Sequence, residues 1–420
     1  MKNKISRYSL GLWLLIWPWQ TKLIILAAPT NYTEISFFIS WLLFLIPFFI
    51  WSGRIFKEDY WFFNQGISKP LWWLGLIILE LTTFLSIFWA EDKCLALYRY
   101  LILVLGILLF YLIKRTDFIK GAQAVKLFLI GLLFPAGLGI WQFFSQSSFA
   151  SKYLGLAYHS ASVLGDSIIE TDTGRYLRAY GPFDHPNILG GLMAIALILV
   201  LYLSLKKEIE RNERLFYLIS FAVFYTALLC SFSRSGFLAL FFSAPFIIIK
   251  AWRRGIFQRK LIALFIFLTI FISAVVIIPY QDLFLGRVEI QSRLEKKSIA
   301  ERGSYLKRAK DLIIKKPILG SGVGNYTIGI KKLDNNFYPD WYYQPVHNYW
   351  LLVWSELGIF GLLSVLIFWL AIIKSSIKKY LWPLGLALII ISLLDHWLWT
   401  QPMGLMIFFF LASLMIKQDF

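Results

Sequence analysis

Charge is scarce in this sequence. Of its 420 residues only 16% are charged, while 59% are hydrophobic and 18% aromatic. Soluble globular chains carry about a quarter charged residues, so a soluble enzyme is excluded. Disorder is excluded as well, because it needs low hydrophobicity. Cysteine is nearly absent: Cys94 and Cys230 lie far apart and support neither a disulfide framework nor a metal motif. There is no H-E-x-x-H, no Cys/His cluster and no Walker sequence. No low-complexity tract, long Pro/Gly/Ser linker or fixed-period repeat divides the chain.

What is present is a succession of long apolar runs. They predict helices over 8–28, 35–53, 70–89, 95–113, 123–143, 186–205, 215–232, 235–250, 261–280, 348–373, 380–398 and 402–416. A membrane helix needs about 20 apolar residues to cross roughly 30 Å of hydrocarbon. The expected fold class is therefore all-α: a single polytopic membrane domain over 1–420 with about 12 transmembrane helices. Lys2, Lys4 and Arg7 before the first run resemble the start of a signal peptide, but Pro18, Gln20 and Lys22 interrupt the run. It reads as an uncleaved first span.

The 42 Lys+Arg exceed the 24 Asp+Glu and give a net charge of +18. In a lipid bilayer protein such an excess fixes topology, with basic residues collecting on cytoplasmic loops, and does not imply nucleic acid. With the N-terminus inside, the inner segments 1–7, 54–69, 114–122, 206–214, 250–260, 374–379 and the C-terminus carry 22 basic residues. The short outer loops carry almost none. Both termini are thus expected in the cytoplasm. The loop 144–185, the turn 231–235 and the long loop 281–347 are all expected on the outer face. The last holds 12 basic residues, but long loops weigh little in this rule.

Polar residues gather in those outer segments. Ser298 and Glu301 fit a capping box, so a helix is expected to start there. On it Tyr305, Leu306, Ala309, Leu312 and Ile313 form an apolar arc with Arg302 near its centre. Lys307, Arg308, Lys310 and Lys315 lie on a solvated face. An arginine on a buried arc needs a partner. That partner is either a carboxylate in a structural pair or a bound anion, and the pattern leaves both open. Gly320-Ser-Gly-Val-Gly324 reads first as a turn and only second as a phosphate cradle, since no strand precedes it.

Of four histidines, His159, His185 and His347 fall in outer loops, and His396 lies near the outer end of its span. Imidazole suits general-base work near neutral pH. His347-Asn348 stands at the head of a span, where a capping role is the plain alternative. Asp395 could orient a histidine or simply make a buried hydrogen bond. Arg234 sits in the tight turn 231–235, and Arg178 precedes Gly181-Pro-Phe-Asp-His-Pro-Asn187. Pro186 fits the first helical position, so that helix start faces outward, where a positive dipole end attracts phosphate. Glu170 and Asp172 form only a weak acidic pair. Glu80, Arg99, Lys126 and Glu356 within the spans read as locally paired groups and not as an ion path. Outer arginines, a histidine and no metal motif suit a substrate with fixed negative charge at the membrane, such as a lipid diphosphate.

The order of these segments resembles a known family. An arginine precedes HPN; then come SFSRSGF, ERGSYLKRAKDLIIKKPILGSGVGNY and HNYWLLVWSELGIFGLL. Over 178–365 this is similar to the O-antigen ligase and polymerase superfamily of bacterial envelope glycosyltransferases. The resemblance implies a large periplasmic loop ahead of a catalytic histidine, two arginines on the diphosphate of an undecaprenyl-linked glycan, no metal or other cofactor, and inversion at the anomeric centre. By motif, His347 is then the base, and Arg234 and Arg302 are the diphosphate binders. Arg178, His185 and Asn348 are secondary candidates. The implied activity is transfer of a glycan, at the outer face of the bacterial cytoplasmic membrane, from its polyprenyl-diphosphate carrier to a lipid or glycan acceptor. A polymerase of the same superfamily is the nearest alternative. A lipid or glycan flippase is the alternative of another class, although transporters place their sites near the bilayer midplane.

Overall fold

The computed structural model describes residues 2–30, 32–50, 71–115, 119–172, 174–206, 209–289, 293–334 and 338–417. Expectations for the inner segment 54–69 fall outside the described residues. In chain order the elements are α1 (Lys2–Ile16), β1 (Lys22–Leu26), β2 (Ile35–Phe38), α2 (Trp41–Ile50), α3 (Leu71–Ser86), α4 (Lys93–Arg115) and α5 (Gly121–Ser145). There follow β3 (Ile168–Thr171), β4 (Gly174–Leu177), α6 (Pro186–Lys206), α7 (Arg211–Ser231), α8 (Arg234–Trp252), α9 (Ile256–Ile277), α10 (Gln281–Glu289) and α11 (Arg293–Lys315). The chain ends with α12 (Tyr326–Leu333), α13 (Tyr349–Ser376), α14 (Trp382–Leu394), α15 (Trp397–Thr400) and α16 (Pro402–Ile416).

Among the described residues, seven helices are long and apolar enough to cross a membrane: α4 to α8, α9 continued to Arg287, and α13. The shorter α2, α3, α14 and α16 are also apolar. The chain is a helical membrane protein. Nine of the twelve expected spans coincide with single helices; the first, second and eleventh need correction. The run 8–28 is helical only to Ile16. Trp17 precedes Pro18, which disfavours the α region there. Lys22–Leu26 then pairs antiparallel with Ile35–Phe38, Lys22 facing Phe38. An apolar run alone does not distinguish a strand from a buried helix. The run 380–398 breaks at Asp395, whose backbone is extended, before the single turn of α15.

α6 is the axis of the bundle. Every residue from Pro186 to Leu205 is buried, and α5, α7, α8 and α14 pack around it. A helix apolar on all sides can be buried in this way. Its closest approach is made by glycine: a Cβ on Gly190 would lie 2.2 Å from the Ser233 Cβ, and one on Gly236 2.6 Å from the Gly190 carbonyl oxygen. Small residues let membrane helices approach this closely. α9, by contrast, turns Phe267, Ile270, Phe271 and Val275 outward, as a lipid-facing helix does.

The glycine-rich turn is structural. Ser321 N–H donates to Ser355 O and Gly322 N–H to Glu356 O, both at 2.9 Å, and Val323 N–H donates to the Ser86 hydroxyl at 3.1 Å. These donors are committed, so the phosphate-cradle reading is set aside. The turn seats against a break in α13 at Gly358, where φ is +67°. Side chains other than glycine rarely adopt that conformation.

Lys307 and Arg253 are both exposed, so the expected topology can be tested there. In a Cys94→Ser background, Lys307→Cys should react with an impermeant thiol reagent on intact cells. Arg253→Cys should react only after permeabilisation. The reverse pattern would invert the orientation.

Candidate active site

Four segments meet at one end of the bundle. The first is the start of α6. Asn187, in its first turn, donates from Nδ2 to Asp395 Oδ2 at 3.0 Å and accepts on Oδ1 from Arg178 Nη2 at 2.8 Å. Arg178 is buried, and its other contacts run to the second segment, the turn between α7 and α8. There Nε donates to Ser231 O at 2.9 Å and Nη2 to Phe232 O at 3.4 Å. Phe232 lies in the left-handed region with φ +49°, and the Ser233 hydroxyl caps α8 by accepting from Gly236 N–H. This turn projects Arg234 from the head of α8. Burial pushes the Arg178 guanidinium down to about 10, which leaves it charged at neutral pH. Its protein contacts make it a fastener of the turn that carries Arg234.

The third segment is the meeting of α13 and α14. Asn348 caps α13, its Oδ1 accepting from Leu351 N–H at 2.9 Å, and its Nδ2 donates to Leu393 O at 3.1 Å. The secondary candidate Asn348 therefore has a structural task. It brings His347 beside Asp395, with 3.7 Å between His347 Nδ1 and Asp395 Oδ1. Asp395 is buried and also accepts from His396 N–H at 2.8 Å. The His347 and His396 rings stand 5.0 Å apart, and His396 Nδ1 bonds the Thr400 hydroxyl at 2.8 Å.

The histidines differ in how they are held. His185 Nδ1 accepts from Asn187 N–H at 3.1 Å, so its Nε2, 3.0 Å from the Ser167 hydroxyl, carries the proton and donates. Burial, and then Arg178, hold the His185 imidazole well below its usual range. Both of its nitrogens are engaged and it stays neutral, a poor arrangement for a base. His159 pairs with Asp166 at 2.7 Å and stacks on Tyr180. His347 is half-buried, and its Nδ1 makes no hydrogen bond among the described residues. In unliganded enzymes catalytic hydrogen bonds are often long and tighten on binding. His347, Asp395 and His396 also bring one ligand atom each within 4.8 Å of one another, a geometry open to a metal ion. Two of those groups already serve protein partners.

The fourth segment is α11. It begins at Arg293, five residues before the expected capping box, so Ser298 and Glu301 lie inside it. Glu295 in its first turn provides the favourable charge at the helix start. Ala309, Leu312 and Ile313 are buried as expected, while Leu306 is exposed. Glu295, Arg302 and Ala309 are spaced by seven and share one face. Arg302 has no ion pair among the described residues, so the structural-pair reading finds no carboxylate. Burial lowers its pKa, and Asp395 opposes that shift by favouring the charged form.

Arg234 does have a carboxylate: its Nη2 lies 2.6 Å from Glu295 Oε2. Sequence reading missed this pair, because the partners are 61 residues apart. The seven-residue spacing of Glu295 and Arg302 was the available signal. Within the spans, Lys126 pairs with Glu213, and Glu356 accepts from the Trp399 indole at 2.8 Å, so these groups are satisfied locally.

Residues 218–366 match the family model described as O-antigen ligase. Over that stretch, about a third of the chain, the sequence is similar to the O-antigen ligase family. The matched region of this O-antigen ligase-like chain runs from α7 into α13 and contains Arg234, Arg302 and His347. Arg178, His185 and Asp395 lie outside it. No curated protein matches the chain.

Arg178→Ala should destabilise the protein. It leaves the buried acceptors Ser231 O and Asn187 Oδ1 without the donor they have here, each costing about 1–3 kcal/mol. Thermal unfolding in detergent should move to lower temperature, with Arg178→Lys recovering part of the loss. An unchanged transition would show that these bonds do not hold the turn.

Proposed function

We propose that the chain transfers a glycan from a polyprenyl-diphosphate carrier to an acceptor hydroxyl, as an O-antigen ligase does, on the outer face of the bacterial cytoplasmic membrane. The observation that supports this most directly is the half-buried His347, set 3.7 Å from the buried Asp395 at the same end of the bundle as Arg234 and Arg302. The family match covers all three candidate residues and consists of glycosyltransferase-like enzymes.

In this reading Asp395 orients His347 through Nδ1, and Nε2 takes the proton from the acceptor hydroxyl. The freed oxygen attacks the anomeric carbon from the face opposite the diphosphate. The carbon–oxygen bond to the carrier breaks, and the lipid diphosphate leaves with the electron pair. A single displacement inverts the anomeric centre. Arg234 and Arg302 stabilise the charge that develops on the departing group, where electrostatic help acts on the transition state. The clustering of these groups where helices end, away from the middle of the spans, disfavours the flippase reading.

His347→Ala should lower transfer by about 10²–10⁴, the usual contribution of a positioned base. It should still insert and fold. Retention of more than about a tenth of the rate, a loss of only about 1.4 kcal/mol, would remove His347 from that role. Arg234→Lys and Arg302→Lys should each lose activity, because two-point binding of phosphate oxygens is lost although the charge remains. Full activity in both variants would sink their assignment. Transfer is expected to survive a chelator. Loss on chelation and recovery with a divalent ion would instead give the His347, Asp395 and His396 group to a metal.

A further inference from the structure

Glu295 holds two arginines at once. Its Oε2 takes Arg234 at 2.6 Å, and its Oε1 takes Arg287 Nη1 from the last turn of α10. The Glu295 side chain is only 7% exposed, and that of Arg287 16%. The two arginines are joined again by the backbone, since Arg234 Nη2 donates to Arg287 O at 2.7 Å. Arg287 Nη2 reaches Phe232 O at 3.4 Å, so Arg287 also touches the turn from which Arg234 projects. Its Nε is buried and makes no hydrogen bond among the described residues. Arg178, Arg234 and Arg302 all lie within electrostatic range of Arg287.

The charge balance of this cluster is uneven. Among the described residues, the largely buried Arg178 and Arg287 and the half-buried Arg234 and Arg302 are four cations, and the buried carboxylates beside them are Glu295 and Asp395. Uncompensated buried charge is unfavourable. The two positive charges left over match a diphosphate esterified at both ends, which carries one negative charge on each phosphorus. A carboxylate whose two oxygens bridge two guanidinium groups also has the geometry that two phosphate oxygens adopt.

We propose that Arg287 is a third diphosphate-binding arginine and that Glu295 stands, in the empty site, where a phosphate group of the donor binds. This rests on the transfer reading above. Donor binding exchanges one bridging anion for another: the arginines stay charged and paired throughout, and Glu295 is released from Arg234 and Arg287. Glu295 acts as an internal competitor that keeps the arginines paired between turnovers. Arg287 supplies charge that Arg234 and Arg302 alone do not.

The test uses the full-length protein in detergent and inorganic pyrophosphate as probe, followed by calorimetry and by thermal shift. Glu295→Gln keeps the shape but removes the competing charge, and should tighten pyrophosphate binding by about tenfold, the change expected when one charge-assisted contact is altered. Arg287→Ala should weaken it by about tenfold or more, and Arg287→Lys should recover only part. With lipid-linked donor the same variants should move KM in those directions more than kcat. A structural clasp would behave differently: Glu295→Gln would lower stability and leave binding unchanged or weaker. That result overturns the role of Glu295, and wild-type binding in Arg287→Ala overturns that of Arg287. If Arg287→Ala is not recovered folded, Arg287→Lys and Glu295→Gln decide. If Arg234→Lys impairs transfer while both Glu295 and Arg287 variants match wild type, this proposal alone fails. If Arg234→Lys and His347→Ala also transfer at full rate, the underlying reading fails with it.

Discussion

The buried carboxylate of Asp395 is the point on which the site depends. It lies in the break between α14 and α15 and cannot remain there without donors. Those donors come from the first turn of α6, through Asn187, and from its own turn, through His396 N–H, while His347 at the head of α13 approaches it. Satisfying one buried charge therefore gathers three elements that are remote in sequence. Arg178 extends the chain of contacts from Asn187 to Ser231 and so fixes the turn that presents Arg234. A hydrogen-bonded line from Asp395 through Asn187 and Arg178 holds the arginine turn, and His347 stands 3.7 Å from its first member.

The apolar bundle beneath makes that line rigid. α6 is buried along its length and admits α8 closely enough that neither Gly190 nor Gly236 tolerates a side chain. The turn after α7 can then shift little relative to Asn187. On the other side, the glycine turn 320–324 is bonded to the break in α13, which anchors the segment connecting α11 to His347. Charged groups of the spans are met by partners in space: Arg99 donates to the Thr400 and Tyr32 carbonyls, Glu356 accepts from the Trp399 indole, and Lys126 pairs with Glu213.

Several parts of this arrangement were legible residue by residue. Pro186 marks a helix start because its ring presets the first helical φ and its missing N–H is not needed there. The turn 231–235 follows from two apolar runs with only Ser, Phe and Arg between them. His347 and Asn348 sit where polar sequence gives way to an apolar span. The first 40 residues and the start of α11 were not legible. A run such as Lys22–Leu26 satisfies a strand as well as a helix, and a capping pattern inside a longer helix is silent once earlier residues such as Glu295 supply the helix start.

Local patterns, in which neighbours along the chain decide the outcome, carry most helices, the turns and the membrane class, because apolar burial and backbone hydrogen bonding act within a few residues. The partners of Arg234 and Asp395 are of another kind. Glu295 meets Arg234 across 61 residues, and Asn187 meets Asp395 across 208. No periodicity encodes such a pairing, since its energy depends on how buried both groups become once distant helices have packed. Composition and spacing therefore place candidate arginines and histidines between the spans, and the family resemblance singles out Arg234, Arg302 and His347; only packing determines which of them are paired, which lack a partner among the described residues, and which converge.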